Sequence, residues 1–267
     1  MNKKIILGFL FFLIQFSVYS QNESELKQAI TKGNQISEKL TYEFDINSND
    51  SLFIRKIVYN KNGKIIKEIN YDDKGNVKHK FIYEEDDSGN ITKLNGYKNG
   101  EIYTTVDYVF DKNGNRTENL QSNPDGELMV HQKRIYNSEN QNTELHNKLR
   151  NENSFYKASE YYYNKKNGKY SKIVNFAPNG TKTYTSIYKY DFKKSMTEIF
   201  RKKNGQKELS TIFKYDSKNN LIERKLISRN RTIKYKYDSK NNLIEELNYD
   251  GDNLISKKRY YYKKFSA

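Results

Sequence analysis

The side chains that could perform acid–base or metal chemistry are scattered along this sequence. His79, His131 and His146 have no cysteine, carboxylate or second histidine at the spacing of a metal site or a catalytic triad. The acidic stretches 45–50 and 84–90 offer the oxygen ligands that Ca²⁺ prefers, yet neither is followed by the glutamate that completes an EF-hand loop. Asp, Asn and Gly are ordinary turn residues. The sequence therefore predicts turns at these stretches, and no enzyme, catalytic residue, cofactor or metal site.

Basic and aromatic side chains alternate in the second half of the chain, for example in residues 182–190 and 257–262. Cations interleaved with aromatic rings could bind a polyanion or stack on sugar rings. The alternative is that the tyrosines cover one face of a sheet while the lysines solvate the other. The candidate binding surface comprises Tyr161, Tyr163, Lys182, Tyr184, Tyr188, Lys189, Arg224, Lys234, Lys236, Lys257, Lys258, Arg259 and Tyr261.

Charge separates the two halves of the chain. Residues 1–150 carry 21 basic and 21 acidic side chains, whereas residues 151–267 carry 27 basic and 12 acidic ones, so the net charge of +15 lies entirely in the second half. Solubility alone does not require such an asymmetry, which favours an anionic partner for the second half.

The first twenty residues resemble an export signal. Lys3 and Lys4 precede the apolar run 5–14, and small residues lie near residue 20. We predict a signal peptide at 1–20 and a mature chain from Gln21. The chain has no cysteine, which excludes disulfides and a lipoprotein anchor at the cleavage site. The sequence thus predicts a periplasmic or extracellular protein that is not a lipoprotein, with no membrane span after cleavage.

The run YDSKNNLIE occurs twice, at residues 215–223 and 237–245, and looser copies occur elsewhere. In each copy a tyrosine ends a strand, the aspartate accepts backbone N–H groups, and glycine or asparagine takes the positive φ angles of the turn. This pattern identifies a repeat protein. The repeat-turn residues are Tyr71, Asp72, Gly75, Asp111, Gly114, Tyr215, Asp216, Asn219, Asn220, Tyr237, Asp238, Asn241 and Asn242.

These turns resemble the tyrosine-aspartate repeat of the RHS/YD-repeat family over most of residues 53–262. Members of that family build a long curled β-sheet, often a shell around a secreted toxin domain. The resemblance therefore implies a curled sheet here. It does not imply the shell, because no cargo domain is evident before residue 41 or after residue 262.

Turn signals recur about every dozen residues, an interval that holds one strand and one turn but no crossover helix. We therefore predict an all-β fold: a long antiparallel meander of roughly sixteen short strands. One N-terminal helix is expected at 21–40, covering the first edge strand, followed by a single sheet domain at 41–265. The alternation of apolar and polar residues weakens at 137–159, which predicts an irregular seam. The pattern leaves open whether the sheet is an open curl, a closed barrel or a solenoid.

The leading hypothesis for function is a secreted, non-enzymatic binding or structural module at the cell envelope. Its basic, tyrosine-rich half would contact an acidic polysaccharide or lipid headgroups, with nucleic acid disfavoured by export. An alternative is a protein-interaction role, as an accessory or immunity-like component of a secreted toxin system. An outer-membrane barrel is disfavoured because Glu223, Arg224 and Lys225 place charges on both faces of one strand.

Overall fold

The computed structural model describes residues 20–48, 50–191 and 195–266. This part of the chain forms one α-helix and eighteen antiparallel strands, which confirms the all-β prediction and corrects the strand number from about sixteen. The predicted signal peptide lies almost wholly outside the described residues. In the described part, no helix is both long and apolar enough to cross a membrane.

The elements follow one another in a simple meander. Their bounds are α1 (Ser20–Gly33), β1 (Ile36–Phe44), β2 (Ser51–Tyr59), β3 (Ile65–Tyr71), β4 (Val77–Glu85), β5 (Ile91–Lys98), β6 (Glu101–Phe110), β7 (Arg116–Ser122), β8 (Leu128–Tyr136), β9 (Asn142–Leu149), β10 (Tyr156–Tyr163), β11 (Tyr170–Phe176), β12 (Lys182–Tyr190), β13 (Met196–Lys203), β14 (Gln206–Tyr215), β15 (Leu221–Leu226), β16 (Arg231–Tyr237), β17 (Leu243–Asp250) and β18 (Asn253–Lys264), with one 3₁₀ turn at Ile227–Arg229.

The sheet closes on itself. Every strand pairs with the next along the chain, and β18 pairs with β1, for example Tyr262 opposite Lys39. The predicted curled sheet therefore closes into a barrel. Closure removes free edges and supplies hydrogen-bond partners for both outer strands of the meander. The helix consequently has no edge strand to cover, contrary to the expectation from sequence.

The inner face of the barrel carries most of the buried side chains, while Val174 and Thr185 are buried on the outer face. Leu145, Tyr161, Ile173 and Tyr188, contributed by β9 to β12, form one apolar cluster on the inner face. The side chain of Arg55, opposite the buried Thr41, also faces inward but is 40% exposed. Solvent therefore reaches the enclosed space, and the apolar packing is a lining of the wall.

A row of amides crosses the inner face at β7, β8 and β9. Asn119 Nδ2 donates to Gln132 Oε1 at 2.9 Å, and Gln132 Nε2 donates to Asn147 Oδ1 at 3.1 Å. Gln132 and Asn147 are 7% and 1% exposed. Buried polar groups that bond to each other avoid the cost of desolvation. This row explains how a chain that is only 35% hydrophobic lines a closed barrel.

The prediction of an irregular seam at residues 137–159 is wrong. The same amides explain why the sequence suggested one. The strands of this region belong to the sheet: β9 pairs with β8 and with β10, with register shifts between Ile135 and Tyr136 and between Lys157 and Ser159 of the kind found at most other hairpins. The hydrophobic alternation fades there because inward positions hold Gln132, Asn147 and Ser159, all of them buried. The sheet is regular although its sequence signal is not.

The helix is shorter than predicted. It ends at Gly33, Gln35 adopts a positive φ of 54°, and Ile36 begins β1, so residues 36–40 are strand rather than helix. Gln28 Nε2 donates to the carbonyl of Asn62 at 3.1 Å, which holds the helix to the turn between β2 and β3. The helix therefore lies against one end of the barrel.

Candidate binding surface and the repeat turns

Alternate hairpins of a meander lie at the same end of a barrel. The end that also carries the helix is called here the repeat rim. It is formed by the turns at 60–64, 86–90, 111–115, 137–141, 164–169, 216–220 and 238–242, together with Asp191 and Ser195. The turns at 72–76 and 123–127 lie at the opposite rim. The two best copies of the repeat are thus neighbours on the repeat rim.

The aspartate of each repeat organises its own turn. Asp238 Oδ1 accepts the backbone N–H groups of Lys240 at 2.9 Å and Asn242 at 2.8 Å, and Asn242 Nδ2 donates to Asp238 Oδ2 at 2.8 Å. Burial raises the pKa of Asp238, but these donors outweigh it and leave the pKa below its usual value. Asn241 supplies the positive φ of 62°.

Neighbouring turns of the repeat rim are joined by their asparagines. Asn220 Nδ2 donates to Asn241 Oδ1 at 3.1 Å, and Asn34, just after the helix, donates to Asn242 Oδ1 at 2.8 Å. Asn115 Nδ2 donates in the same way to Asn140 Oδ1 at 3.2 Å. Glycine would satisfy the positive φ at Asn241 equally well. The asparagine side chain adds a contact between hairpins that glycine cannot make.

The tyrosine that ends a strand at the repeat rim anchors the preceding strand. Tyr237 Oη donates to the carbonyl of Leu221 at 2.9 Å, and Tyr262 Oη donates to the carbonyl of Leu243 at 2.7 Å. Tyr163 donates to the carbonyl of Asn142 at 2.8 Å. Burial raises the pKa values of Tyr163 and Tyr262 well above the usual range. These rings line the inner face and are structural members of the repeat.

The remaining repeat-turn residues have structural roles equivalent to those described above. Asp216 and Asp111 accept backbone N–H groups as Asp238 does, and Asn219 has a φ of 66°. Tyr215 ends β14 opposite Leu221. At the opposite rim, Asp72 accepts the N–H groups of Lys74 and Asn76, Gly75 has a φ of 81°, and Tyr71 stacks on Phe53. Gly114 of the 111–115 turn has a φ of 77°.

The acidic stretches have the turn role that their composition predicts. Asp86 Oδ1 accepts the N–H of Asn90 at 2.7 Å, and Asp45 Oδ1 accepts the N–H groups of Asn47 and Ser48 at 2.7 and 2.9 Å. Over residues 20–48, 50–191 and 195–266, no cluster of three or more metal-ligating side chains occurs.

Two of the three histidines lie in ion-pair ladders. His131 Nε2 is 2.5 Å from Glu118 Oε2, and His146 Nε2 is 2.6 Å from Glu144 Oε2. Glu118 also pairs with Lys133, and Glu144 with a lysine of β10. His79 lies against the rings of Phe81 and Tyr103.

The candidate binding surface divides between the two faces of the wall. Cross-strand register and burial place Tyr161, Tyr163, Tyr184, Tyr188, Arg224 and Lys258 on the inner face, and Lys189, Lys234, Lys236, Lys257, Arg259 and Tyr261 on the outer face. Lys182, the first residue of β12, is exposed at the opposite rim. The structure therefore does not bring all thirteen together.

The outer face also contains aromatic rings that were absent from the predicted set. Phe44, Tyr162, Phe200 and Tyr249 each lie beneath a lysine or arginine. Tyr162 is flanked in sequence by two inward tyrosines, so strand parity could have identified it. Phe44 belongs to β1, far from the basic half in sequence, and only closure of the sheet places it beside Lys257 and Arg259.

A shallow cleft of about 370 Å³ separates the two best repeat turns. Asp216, Asn220, Asp238 and Asn241 line it, together with Lys236. The four turn residues are already engaged in the hydrogen bonds of the two turns. These four side chains therefore hold the two turns together along the cleft.

Several solved structures are similar to this chain, all at low sequence identity and with TM-scores below 0.5. The crystal structure of TcdB2-TccC3-TEV matches with a TM-score of 0.30 and 13% identity, covering 81% of this chain and 14% of that one. The Photorhabdus luminescens Tc holotoxin pore matches with a TM-score of 0.31 and 14% identity, covering 80% of this chain and 13% of that one. A porin-like protein from Bacteroides uniformis matches with a TM-score of 0.44 and 11% identity, covering 85% of this chain and 98% of that one. No family model and no curated protein matches the sequence.

Proposed function

We propose that this protein is an exported, non-enzymatic binding module that contacts an acidic polysaccharide through the outer wall of its second half. Export is supported by the signal-like residues 1–20. Kinship with the RHS/YD-repeat family is part of the proposal, and it is supported by the Tyr-Asp turns that recur around the repeat rim.

The observation that carries the proposal is the placement of outward cations over aromatic rings. Lys172 Nζ lies 3.7 Å from the ring centroid of Tyr162. Lys189 and Lys207 lie 4.5 and 4.3 Å from the ring of Phe200. A ring attracts a cation without cancelling its charge. The ammonium groups of Lys172 and Lys207 therefore remain available to an anion while the neighbouring ring offers an apolar surface, whereas Lys189 also pairs with Glu198 at 2.8 Å.

The same arrangement continues toward the closing strands. Lys234 Nζ is 5.1 Å from the ring of Tyr249, and Lys257 and Arg259 lie 5.2 and 5.0 Å from the ring of Phe44. An acidic polysaccharide carries both carboxylates for these cations and apolar ring faces for the aromatic groups. Lipid headgroups would use the cations but not the rings, which favours the polysaccharide.

Other outward lysines are neutralised in the wall. Lys214 pairs with Glu223 at 2.7 Å and Lys236 with Glu245 at 2.6 Å, both across strands. Lysines of this kind stabilise strand pairing and add little net field. The proposal therefore rests on the lysines over rings, while the inward tyrosines of the candidate set are assigned to the wall itself.

The test is binding of the chain without its predicted signal peptide to an acidic oligosaccharide, oligogalacturonate, at low and moderate salt. Affinity should fall with added salt, because several exposed cations would share the contact. The triple variant K172Q/K207Q/K234Q should lose about tenfold or more in affinity, equivalent to about 1.4 kcal/mol.

The matched control is K157Q/K214Q/K236Q, in which three carboxylate-paired lysines are changed and the net charge falls equally. Equal losses in the two triple variants would show that only the total charge matters and would refute the proposed contact. Absence of binding together with recovery of one stoichiometric protein in a pull-down would favour the protein-interaction alternative.

A further inference from the structure

A row of touching aromatic rings crosses the outer face where the barrel closes. The ring centroids of Tyr261 and Tyr42 are 5.4 Å apart, those of Tyr42 and Phe53 are 5.1 Å apart, and those of Phe53 and Tyr71 are 4.7 Å apart. These four residues, called here the aromatic strip, come from β18, β1, β2 and β3. They lie side by side only because β18 pairs with β1.

The strip differs from its surroundings on the same face. Glu38 lies on the same face of β1, four residues before Tyr42. Lys56 and Lys263 flank Glu38, and Lys263 Nζ is 2.9 Å from the Glu38 carboxylate. Such charged ladders also occur at Lys189–Glu198 and elsewhere on the outer wall. In the strip, rings replace the charges, and Tyr261 is 47% exposed. A run of touching rings with an exposed ring at its end, beside charged ladders, is a feature of interaction surfaces.

Cations border the strip on one side. Arg259 stands opposite Tyr42, stacks on Phe44, and lies 3.5 Å from Glu245, which also binds Lys236. No carboxylate of the described residues lies within ion-pair distance of Lys257, whose ammonium group is over Phe44. A guanidinium beside aromatic rings is suited to a carboxylate carried on a planar or ring-shaped ligand.

We propose that the aromatic strip is the sugar-stacking subsite for a uronate-containing polysaccharide, with Arg259 and Lys257 binding the uronate carboxylate. This inference rests on the proposed function and names the part of the wall that reads the sugar ring. The apolar C–H face of a pyranose packs on the exposed Tyr261 ring, which Tyr42 supports edge-on, in the way that aromatic rings pack on flat apolar groups. The carboxylate of the same sugar then points toward Arg259.

Ring contacts also clip β18 to β1 and β1 to β2, so the strip contributes to closure. This structural role does not explain the exposure of Tyr261, whose ring contact in the strip is confined to one edge-on contact at 90° with Tyr42. Packing alone would be served by burying that ring. The binding role and the closure role make different predictions for the same residue, since closure affects unfolding and stacking affects ligand affinity.

The test uses the chain without its predicted signal peptide, with oligogalacturonate and its fully methyl-esterified form as probes, titrated by calorimetry. Tyr261→Ala should weaken binding of both probes about tenfold, and Tyr261→Phe should retain it, because the ring face is unchanged. Arg259→Gln should weaken binding of the acidic probe alone. The control is Tyr97→Ala, which removes another outward ring covered by a lysine, from β5 in the first half of the chain.

The outcomes separate this inference from the proposed function. Equal affinity of Tyr261→Ala and Tyr97→Ala for oligogalacturonate would overturn the subsite and leave the proposed function standing. If both probes bind with the same affinity and both lose affinity in Tyr261→Ala, stacking on Tyr261 is supported. The proposed recognition of an acidic ligand is then refuted. Anionic phosphatidylglycerol vesicles provide a competitor. If they displace the sugar from the wild type and bind Tyr261→Ala as tightly as the wild type, the ligand is a lipid headgroup and the subsite is overturned. Unfolding by urea should show that each variant is folded.

Discussion

Gln132 and Asn147 face each other across β8 and β9 inside the barrel, and Gln132 Nε2 donates to Asn147 Oδ1 at 3.1 Å. Asn147 is among the most deeply buried side chains described, at 1% exposure. A wall of single-sheet thickness thus uses paired amides at positions where a globular protein would use leucine. Pairing matters because each buried amide would otherwise remain unsatisfied.

We expect Asn147→Ala to destabilise the protein by about 2–3 kcal/mol, because the Gln132 amide loses its acceptor while staying buried. Equilibrium unfolding in urea, followed by circular dichroism, measures the change. Ser138→Ala, an exposed position in the adjacent turn, is the control and should stay within about 0.5 kcal/mol of the wild type. Similar stabilities of both variants would show that the amide row does not hold the wall together.

Tyr237→Phe tests the strand anchor of the repeat. The change keeps the ring and removes the hydroxyl that donates to the carbonyl of Leu221, so a loss of about 1–2 kcal/mol is expected. Tyr261→Phe removes a hydroxyl from an exposed ring of the closing strand β18 and should be nearly neutral. Thermal unfolding of both variants, compared at one scan rate, measures the difference. A neutral Tyr237→Phe would mean that the tyrosine contributes only its ring.

The turn aspartates predict a dependence of stability on acid pH. Hydrogen bonds from the Asn115 side chain and backbone hold the pKa of Asp111 below its usual value. Burial raises the pKa values of Asp216 and Asp238, but the donors of their turns outweigh it and lower them. A lowered folded-state pKa contributes stability above the unfolded value near about 3.9, and this contribution is lost as pH falls through the folded-state pKa.

The triple variant D111N/D216N/D238N should therefore be less stable than the wild type at pH 7, and the difference should shrink between about pH 4 and pH 2. Asparagine keeps an acceptor oxygen for the turn, so the hairpins remain formed. Urea unfolding at pH 7 and at pH 2.5 measures the two differences. A difference of the same size at both pH values would contradict the charge-dependent part of the turn stability.

Lys39 predicts a dependence of the same sign at neutral to alkaline pH. It faces inward over the ring of Tyr260 at 4.1 Å, and burial, with Arg55 and Lys27 nearby, lowers its pKa to about 7. Between about pH 7 and pH 10 the unfolded chain holds a proton that folded Lys39 has released, so this residue makes stability rise with pH. Below pH 7 the cost of the buried charge is present in full.

Lys39→Met should accordingly stabilise the protein at pH 6 by more than about 1 kcal/mol, since a side chain of similar length replaces a buried charge. The gain should diminish as pH rises toward 10. Urea unfolding of variant and wild type across this range gives the difference directly. A stabilisation that does not vary with pH would show that the charge of Lys39 does not destabilise the folded state.

The repeat turns and the antiparallel meander could be predicted because their signals are local. Asp238 and Asn241 determine their turn within five residues, and the interval between turns sets the strand length. Closure could not be predicted, because Lys39 meets Tyr262 only after the whole meander has formed. No residue pattern encodes a contact of that separation.

The residues of the candidate binding surface lie on two faces of the wall because side-chain direction depends on strand register. Tyrosines 161 and 163 face inward and Tyr162 faces outward, as alternation requires. Register shifts at almost every hairpin, such as the one between Lys236 and Tyr237, change which residues share a face. A list of basic and aromatic residues from sequence therefore mixes the two sides of the wall, and only the register separates Arg224 inside from Lys234 outside.

The contact between helix and repeat rim can be tested with two glycines that share a backbone conformation. Gly63 and Gly75 have φ values of 75° and 81°, so alanine at either position is strained to a similar extent. A Cβ at Gly75 would meet open space, whereas a Cβ at Gly63 would lie 2.5 Å from the Gln28 carbonyl oxygen and 2.9 Å from the Lys32 nitrogen. The difference between the two variants therefore reports the helix contact alone.

Gly75→Ala should cost about 1 kcal/mol, the usual strain of a left-handed alanine, and leave the helix in place. Gly63→Ala should cost more, or displace the helix from the rim, because main-chain atoms cannot yield as a flexible side chain would. Hydrogen exchange at residues 28–33 distinguishes these results, since a displaced helix loses its protection while the barrel strands keep theirs. Equal stability and equal protection in both variants would show that the helix does not rest on the 60–64 turn in solution, and that the rim is closed by its asparagine contacts alone.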